Sequence, residues 1–396
     1  MLILKNCRLI PELTEGFEGS AADMVIDGEI IVGIYPPGEA PAVENCEVLD
    51  VKGMTVLPGF FDLHAHLLLL NQDWNYLMLI PQNEYVLNSA RYAKKYLELG
   101  FTTIRDCGND FYASVAVRDY INNGTLTGCR VITSGKILTP TTRGNSSFGS
   151  LYKEVDSPAD MLRVCRQETE QGVDFIKYMC TGAVLNLGGV PGMMVTTPAE
   201  LRAVVDAAET LGTYVAAHCH GTRGIKEAVK AGVKTIEYAS YMDEESAELM
   251  LKHGTFGTVP TLAMPYTLAK DYSGATLPEF VAKSSDAIRH MVDSMKLAAQ
   301  AGVTVGFGTD LDLENASKYP GIEFEARAEY GLDNLTILRQ ATIESAKIVK
   351  LDDKLGTIKA GKLADLVVID GKPDEDITAM KQYPAHVFKA GVEFRS

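Results

Sequence analysis

Apolar and polar positions follow two rhythms along this chain. Near both ends they alternate in short runs: Met1-Leu2-Ile3-Leu4-Lys5, then Met24 to Ile34 with the turn signal Asp27-Gly28, then Val48 to Val51 and Thr55 to Leu57. Ala364 to Asp370 and Val387 to Phe394 read the same way at the far end. Two short β pieces at opposite ends are poor folding units alone, so they are expected to pair into one small β-sandwich domain, residues 1–57 plus 355–396.

Between them the rhythm is an amphipathic helix, a glycine, then a β-branched strand. It recurs at Gly100 before Phe101 to Asp106, Gly172 before Val173 to Lys177, and Gly212 before Tyr214 to His218. It returns at Gly232 before Val233 to Tyr238, Gly254 before Thr258 to Pro260, and Gly302 before Val303 to Asp310. A glycine after the last helical turn supplies the left-handed residue that ends it. Ser157-Pro158 and Thr197-Pro198 are good helix starts. With the runs ending at His64 and at Thr133 the count reaches eight strands, which predicts an α/β architecture: a parallel (β/α)8 TIM barrel over residues 58–354. A doubly wound sheet competes, but no Gly-x-Gly-x-x-Gly follows the first strand to support nucleotide binding.

Barrel chemistry sits at the C-terminal ends of the strands, so the last residue of each run carries the information. Those residues are His64 and His66, Asp106, Lys177, His218 and His220, Tyr238, and Asp310. Strand alternation points His64 and His66 the same way, where two imidazoles hold one metal ion. Taken singly, each has an ordinary alternative: histidines bonded to backbone, an Asp106 that pairs with Arg105 or caps a helix, a solvated Lys177. Imidazole and carboxylate converging from several strands favour Zn²⁺ and its neighbours. Asp310 in Gly308-Thr309-Asp310 is suited both to ligate and to take a proton from attacking water.

Charge and composition narrow the classes. A net charge of −15 argues against nucleic acid and anionic membrane partners, which need a basic face, and leaves a small-molecule substrate. No run approaches a membrane span, and the first residues lack the features of a secretory signal, so a cytoplasmic location is expected. The seven cysteines show no Cys-x-x-Cys pair and read as reduced core thiols. Cys180 and Cys219 neighbour proposed site residues but alternate to the other face.

The motifs Pro58-Gly59-Phe60-Phe61-Asp62-Leu63-His64-Ala65-His66, Thr102-Thr103-Ile104-Arg105-Asp106, Asp174-Phe175-Ile176-Lys177, Ala217-His218-Cys219-His220-Gly221, Ala231 to Tyr238, Gly308-Thr309-Asp310 and Gly361 to Val368 resemble the amidohydrolase superfamily, within it the prolidase-like branch of metal-dependent dipeptidases and carboxypeptidases. The resemblance spans nearly the whole chain. It implies two metal ions, one on His64, His66 and Asp310, a second on His218 and a further histidine, with a carboxylated Lys177 bridging them. The chain departs from the pattern at Ile236-Glu237-Tyr238, where relatives carry Ile-Glu-His, so either the site is mononuclear, or a second ion is held with Tyr238 as a weak partner, or Tyr238 donates a hydrogen bond to a developing oxyanion. It departs again at Thr141 to Asn145, where relatives often show Gly-Gly-His. There Arg143, or His220 from its strand end, is the candidate clamp for a substrate carboxylate, an exposed loop arginine being the other reading of Arg143. The resulting expectation is a homo-oligomeric amidohydrolase that cleaves an amide bond in a dipeptide or N-acyl amino acid. A cyclic-amide or lactone hydrolase and a ligand-binding barrel with a degraded site are the alternatives.

Overall fold

The computed structural model describes residues 1–42, 46–71, 73, 77, 79–186, 188–270 and 276–394. They divide into two compact units, one formed by Met1–Asp62, Lys94–Thr103 and Ala316–Ser396, the other by Leu63–Ala93 and Ile104–Asn315.

In the first unit the two ends of the chain meet in one eight-stranded sheet. Strand Leu2–Arg8 pairs antiparallel with Ala21–Asp27, which turns at Gly28 (φ 55°) into Ile30–Tyr35, as Asp27-Gly28 predicts. The seam between the ends is antiparallel: Leu57 of Thr55–Pro58 lies opposite Val367 of Leu366–Ile369, which continues to His386–Lys389 and Val392–Phe394. Alternate residues from both ends, among them Leu4, Met24, Val56, Leu366 and Phe388, fill a common core. The unit also takes in residues between the termini, and Phe60, Phe101 and Phe324 meet there edge to edge or tilted at 5.4–6.5 Å.

The second unit is built on parallel strands alternating with helices. Six strands lie in the order Tyr152–Glu154, Ile137–Thr139, Ile176–Met179, Val215–Cys219, Thr235–Tyr238, Gly257–Val259. A three-stranded sheet orders Phe60–Ala65, Phe101–Asp106 and Arg130–Thr133, the second unit taking the first two strands from Leu63 and from Ile104 onward. The expected last strand is reduced to isolated parallel bridges at Val305 and Gly308, because glycines at 306 and 308 weaken a ladder. Single hydrogen bonds carry the backbone across that gap, from Leu63 N–H to the Phe307 carbonyl (2.8 Å) and from Asp310 N–H to the His64 carbonyl (2.7 Å).

The expected punctuation is present. Helices Thr222–Ala231, Glu244–His253 and Pro278–Ala301 end on Gly232, Gly254 and Gly302 at φ 104°, 66° and 86°. Thr197 and Glu200 form a reciprocal capping box on Pro198–Thr210. Among the described residues, no helix is long and apolar enough to cross a membrane.

Candidate metal centre

Alternation along Phe60–Ala65 aims His64 and His66 at the same space, and the 308–310 segment meets them there. Gly308 is required for that approach, since a Cβ on it would lie 2.8 Å from the His64 Cβ. Asp310 follows at φ 54°, a left-handed conformation uncommon outside glycine that turns its carboxylate back toward the histidines. Ligand atoms of His64, His66 and Asp310 lie within 4.8 Å of one another.

Both imidazoles are oriented from behind. His66 Nδ1 donates to the Gly108 carbonyl (2.8 Å), leaving Nε2 free to face Asp310 Oδ1 at 3.5 Å. His64 Nδ1 donates to Glu237 Oε2 (2.8 Å), so its Nε2 carries the lone pair. Glu237 is held in turn by Arg105, whose guanidinium donates to Oε1 at 2.6 Å, to Thr235 Oγ1 at 3.0 Å and, through Nε, to the Leu63 carbonyl at 2.7 Å. Burial alone would raise the Glu237 carboxyl, but Arg105 and His64 outweigh it and hold it well below the usual range. Burial pushes His64 well below an ordinary histidine and His66 down to about 4, so both rings stand neutral, as metal ligands must be.

Lys177, 1% exposed, reaches the same space from Ile176–Met179 with Nζ 3.3 Å from His64 Nε2. Among the described residues no carboxylate forms an ion pair with it. Tyr238 comes from Thr235–Tyr238. Strict alternation would send it to the face opposite Glu237, but φ is 67° and the ring turns back. Its ring centroid lies 4.6–4.8 Å from those of His64, His218 and His220, and its hydroxyl donates to Asp310 Oδ2 (2.8 Å) 3.1 Å from His64 Nε2. Burial, then Asp310, pushes the phenol well above its ordinary value, so it is a neutral donor.

His218 Nε2 lies 3.3 Å from the Gly182 carbonyl, and His220 Nδ1 lies 2.7 Å from Ser240 Oγ. Burial pushes His220 down to about 3. Neither histidine joins the three-ligand group. Arg143 lies elsewhere: exposed, its guanidinium packed on Gly188 and acting electrostatically on Glu279. His64, His66, Lys177, His218, His220, Tyr238 and Asp310 converge, whereas the Asp106 carboxylate accepts from the backbone N–H groups of Leu67 and Gly108 and is outside both the ligand group and the cleft lining.

Glu237, Arg105 and Cys107 escape the sequence reading. Cys107 joins His64 and Glu237 in a second buried group of potential ligand atoms. The signal for Glu237 was its alternation with Thr235 in an apolar strand, because a buried glutamate demands a partner.

The donor chemistry fits a divalent ion: two neutral imidazoles, each held from behind through Nδ1 so that Nε2 faces the cluster, and one carboxylate. The cluster closes one end of a cleft whose empty space, mouth included, is about 790 Å³; His66, Lys177, His218, His220, Tyr238 and Asp310 line it.

A model of the amidohydrolase family matches residues 55–393. Ochratoxinase of Aspergillus niger is 27% identical over 417 residues, covering 98% of this chain and 85% of that protein. A solved prolidase in complex with N-methylphosphonate-L-proline is 33% identical, with a TM-score of 0.88 over 100% of this chain and 99% of its own. A Xaa-Pro dipeptidase with bound methionine is 29% identical, with a TM-score of 0.88 over 100% of both chains.

Proposed function

The chain belongs to the amidohydrolase family, in its prolidase-like branch, and is a hydrolase of carbon–nitrogen bonds; from that premise we propose that it is a metal-dependent enzyme cleaving an amide bond in a small molecule. The observation that carries the reading is the convergence of His64, His66 and Asp310 within 4.8 Å, with both imidazoles oriented by partners on Nδ1 so that Nε2 faces the cluster.

In this proposal His64, His66 and Asp310 would hold Zn²⁺, and Lys177, carboxylated, would extend the site toward His218. A divalent ion there would lower the pKa of bound water to about 7 and polarise the scissile carbonyl. Asp310 takes the proton from the attacking water and passes it to the leaving amine. Tyr238, a neutral phenol 3.1 Å from His64 Nε2, donates to the oxygen that becomes negative. Glu237 and Arg105 fix the His64 ring throughout. Family membership also supports reading the parallel strands as an eight-stranded barrel and the terminal sheet as a small sandwich. A homo-oligomer and a cytoplasmic location complete the proposal.

The test is metal content by plasma emission and turnover of small amides, dipeptides and N-acyl amino acids among them, before and after chelation. Alanine at His64, His66 or Asp310 should remove activity and most of the metal. Full turnover by metal-free His64→Ala protein would overturn the proposal.

A further inference from the structure

The cleft above the cluster is apolar in a way that a dipeptide site is not expected to be. Beyond the cluster its walls include Leu69, Phe148, Leu151, Leu185, Leu268 and Met291, and among the described lining residues Tyr152 carries the only side-chain hydroxyl outside the cluster. Among the described lining residues there is no arginine, and Lys177 is the only lysine. The cations nearby are committed elsewhere. Arg143 is exposed on Gly188, Lys283 donates to the Asn186 carbonyl (3.0 Å) and pairs with Glu279 (2.6 Å), and Lys153 pairs with Glu168 (3.0 Å). The Lys283 contact holds the segment that brings Leu185 into the cleft. Among the described lining residues, a carboxylate placed against these walls, away from the cluster, would meet no side-chain cation, and an ammonium there would meet no carboxylate.

We propose, resting on the amide-hydrolase reading above, that the substrate is a neutral amide with bulky apolar groups, rather than a free dipeptide. The cleft walls select by burial of hydrocarbon, and they exclude charge because an unpaired ion taken from water into apolar surroundings is strongly disfavoured. This replaces the expected clamp, Arg143 or His220, with a site that needs none: Arg143 is outside the cleft lining, and His220, which is part of it, is bonded through Nδ1 to Ser240 Oγ (2.7 Å).

Three amides that share one scissile bond test this: N-hexanoyl-isoamylamine, which is neutral; N-hexanoyl-leucine, which adds only a carboxylate; and 6-aminohexanoyl-isoamylamine, which adds only an ammonium. Metal-replete protein should cleave the neutral amide with kcat/KM about tenfold or more above either charged one, the direction set by the cost of burying unpaired charge. Leu185→Arg, away from the reacting groups, should raise the carboxylate compound relative to the neutral one. Equal or better turnover of a charged compound by the unaltered protein overturns the proposal. If none is cleaved, the amide-hydrolase reading fails, and displacement of the neutral dye Nile red from the cleft decides this one. Displacement at lowest concentration by the neutral amide upholds an apolar, charge-excluding cleft; equal or better displacement by a charged compound overturns it.

Discussion

Glu237 and His64 share a fully buried hydrogen bond of 2.8 Å, and the carboxylate oxygen that His64 does not use is taken by Arg105 at 2.6 Å. The glutamate thus balances a buried guanidinium and also fixes which nitrogen of His64 faces the metal position. Removing its charge disturbs both. Glu237→Gln should lower metal affinity by about 10–100-fold, the range seen when such outer partners are lost. It should also cost about 3 kcal/mol or more of stability, because Arg105 is left unpaired. Adding Arg105→Met should recover stability without restoring affinity. Urea unfolding and competition against a chelator measure the two effects, and undiminished affinity in Glu237→Gln would remove the orienting role.

Lys177 is buried with Nζ beside an imidazole nitrogen at 3.3 Å and in no ion pair among the described residues. An ammonium in that setting is costly, whereas a carbamate made from it is an anion suited to cations. Intact mass measured without acid exposure should show the added carboxylate. Lys177→Ala should be inactive and regain part of its turnover with small carboxylic acids such as propionate. A plain amine in fully metallated, active protein would refute the carbamate.

Much of this was legible in the sequence, for identifiable reasons. Glycines 232, 254 and 302 sit where helices must stop, and each takes the left-handed conformation expected of it. His64, His218 and Asp310 announce themselves because each lies at the end of a run of apolar strand residues, and Lys177 because it is a lysine inside one, the second residue of Ile176–Met179. Arg143 did not follow its position in the chain, because its neighbours Gly188 and Glu279 come from loops and helices far along the sequence. Glu237 looked like the polar half of an alternating strand, and its need for Arg105 appears only when two strands are brought side by side. Tyr238 enters the cleft through a backbone conformation that no side-chain pattern encodes.

Asp106 gives a stability prediction with a definite sign. Burial pushes its carboxyl from 3.8 up to about 7, although Leu67 and Gly108 donate backbone N–H groups to it. Between pH 4 and 7 the folded protein therefore holds a proton that the unfolded chain has released, and the contribution of Asp106 to stability falls as pH rises through that window, then levels. Asp106→Asn cannot titrate. Its unfolding free energy subtracted from that of the unaltered protein, measured in urea at pH 5, 6, 7 and 8, should leave a difference that declines and flattens. A difference that climbs with pH would mean that the carboxylate stays ionised in the fold.

Tyr238 separates the possible metal stoichiometries. In this geometry the phenol is neutral and donates to Asp310 at 2.8 Å, the position of a hydrogen-bond donor to the reacting carbonyl and not of a strong ligand. Tyr238→Phe should therefore keep the tight ion on His64, His66 and Asp310 while slowing the chemical step by about 10²–10³, the usual loss for an oxyanion donor. A second ion, held by Lys177 and His218, should bind weakly, since the phenol adds little. Tyr238→His is structurally permitted, because histidine is among the residues that tolerate the left-handed φ of 67° found there. It should tighten the second equivalent, imidazole being the better ligand at neutral pH. Calorimetric titration of Zn²⁺ into stripped protein should show one tight and one weak equivalent in the unaltered chain, the same tight one in Tyr238→Phe, and two tight ones in Tyr238→His. Loss of the tight ion in Tyr238→Phe would make the phenol a ligand after all, and would move the oxyanion donor to another residue.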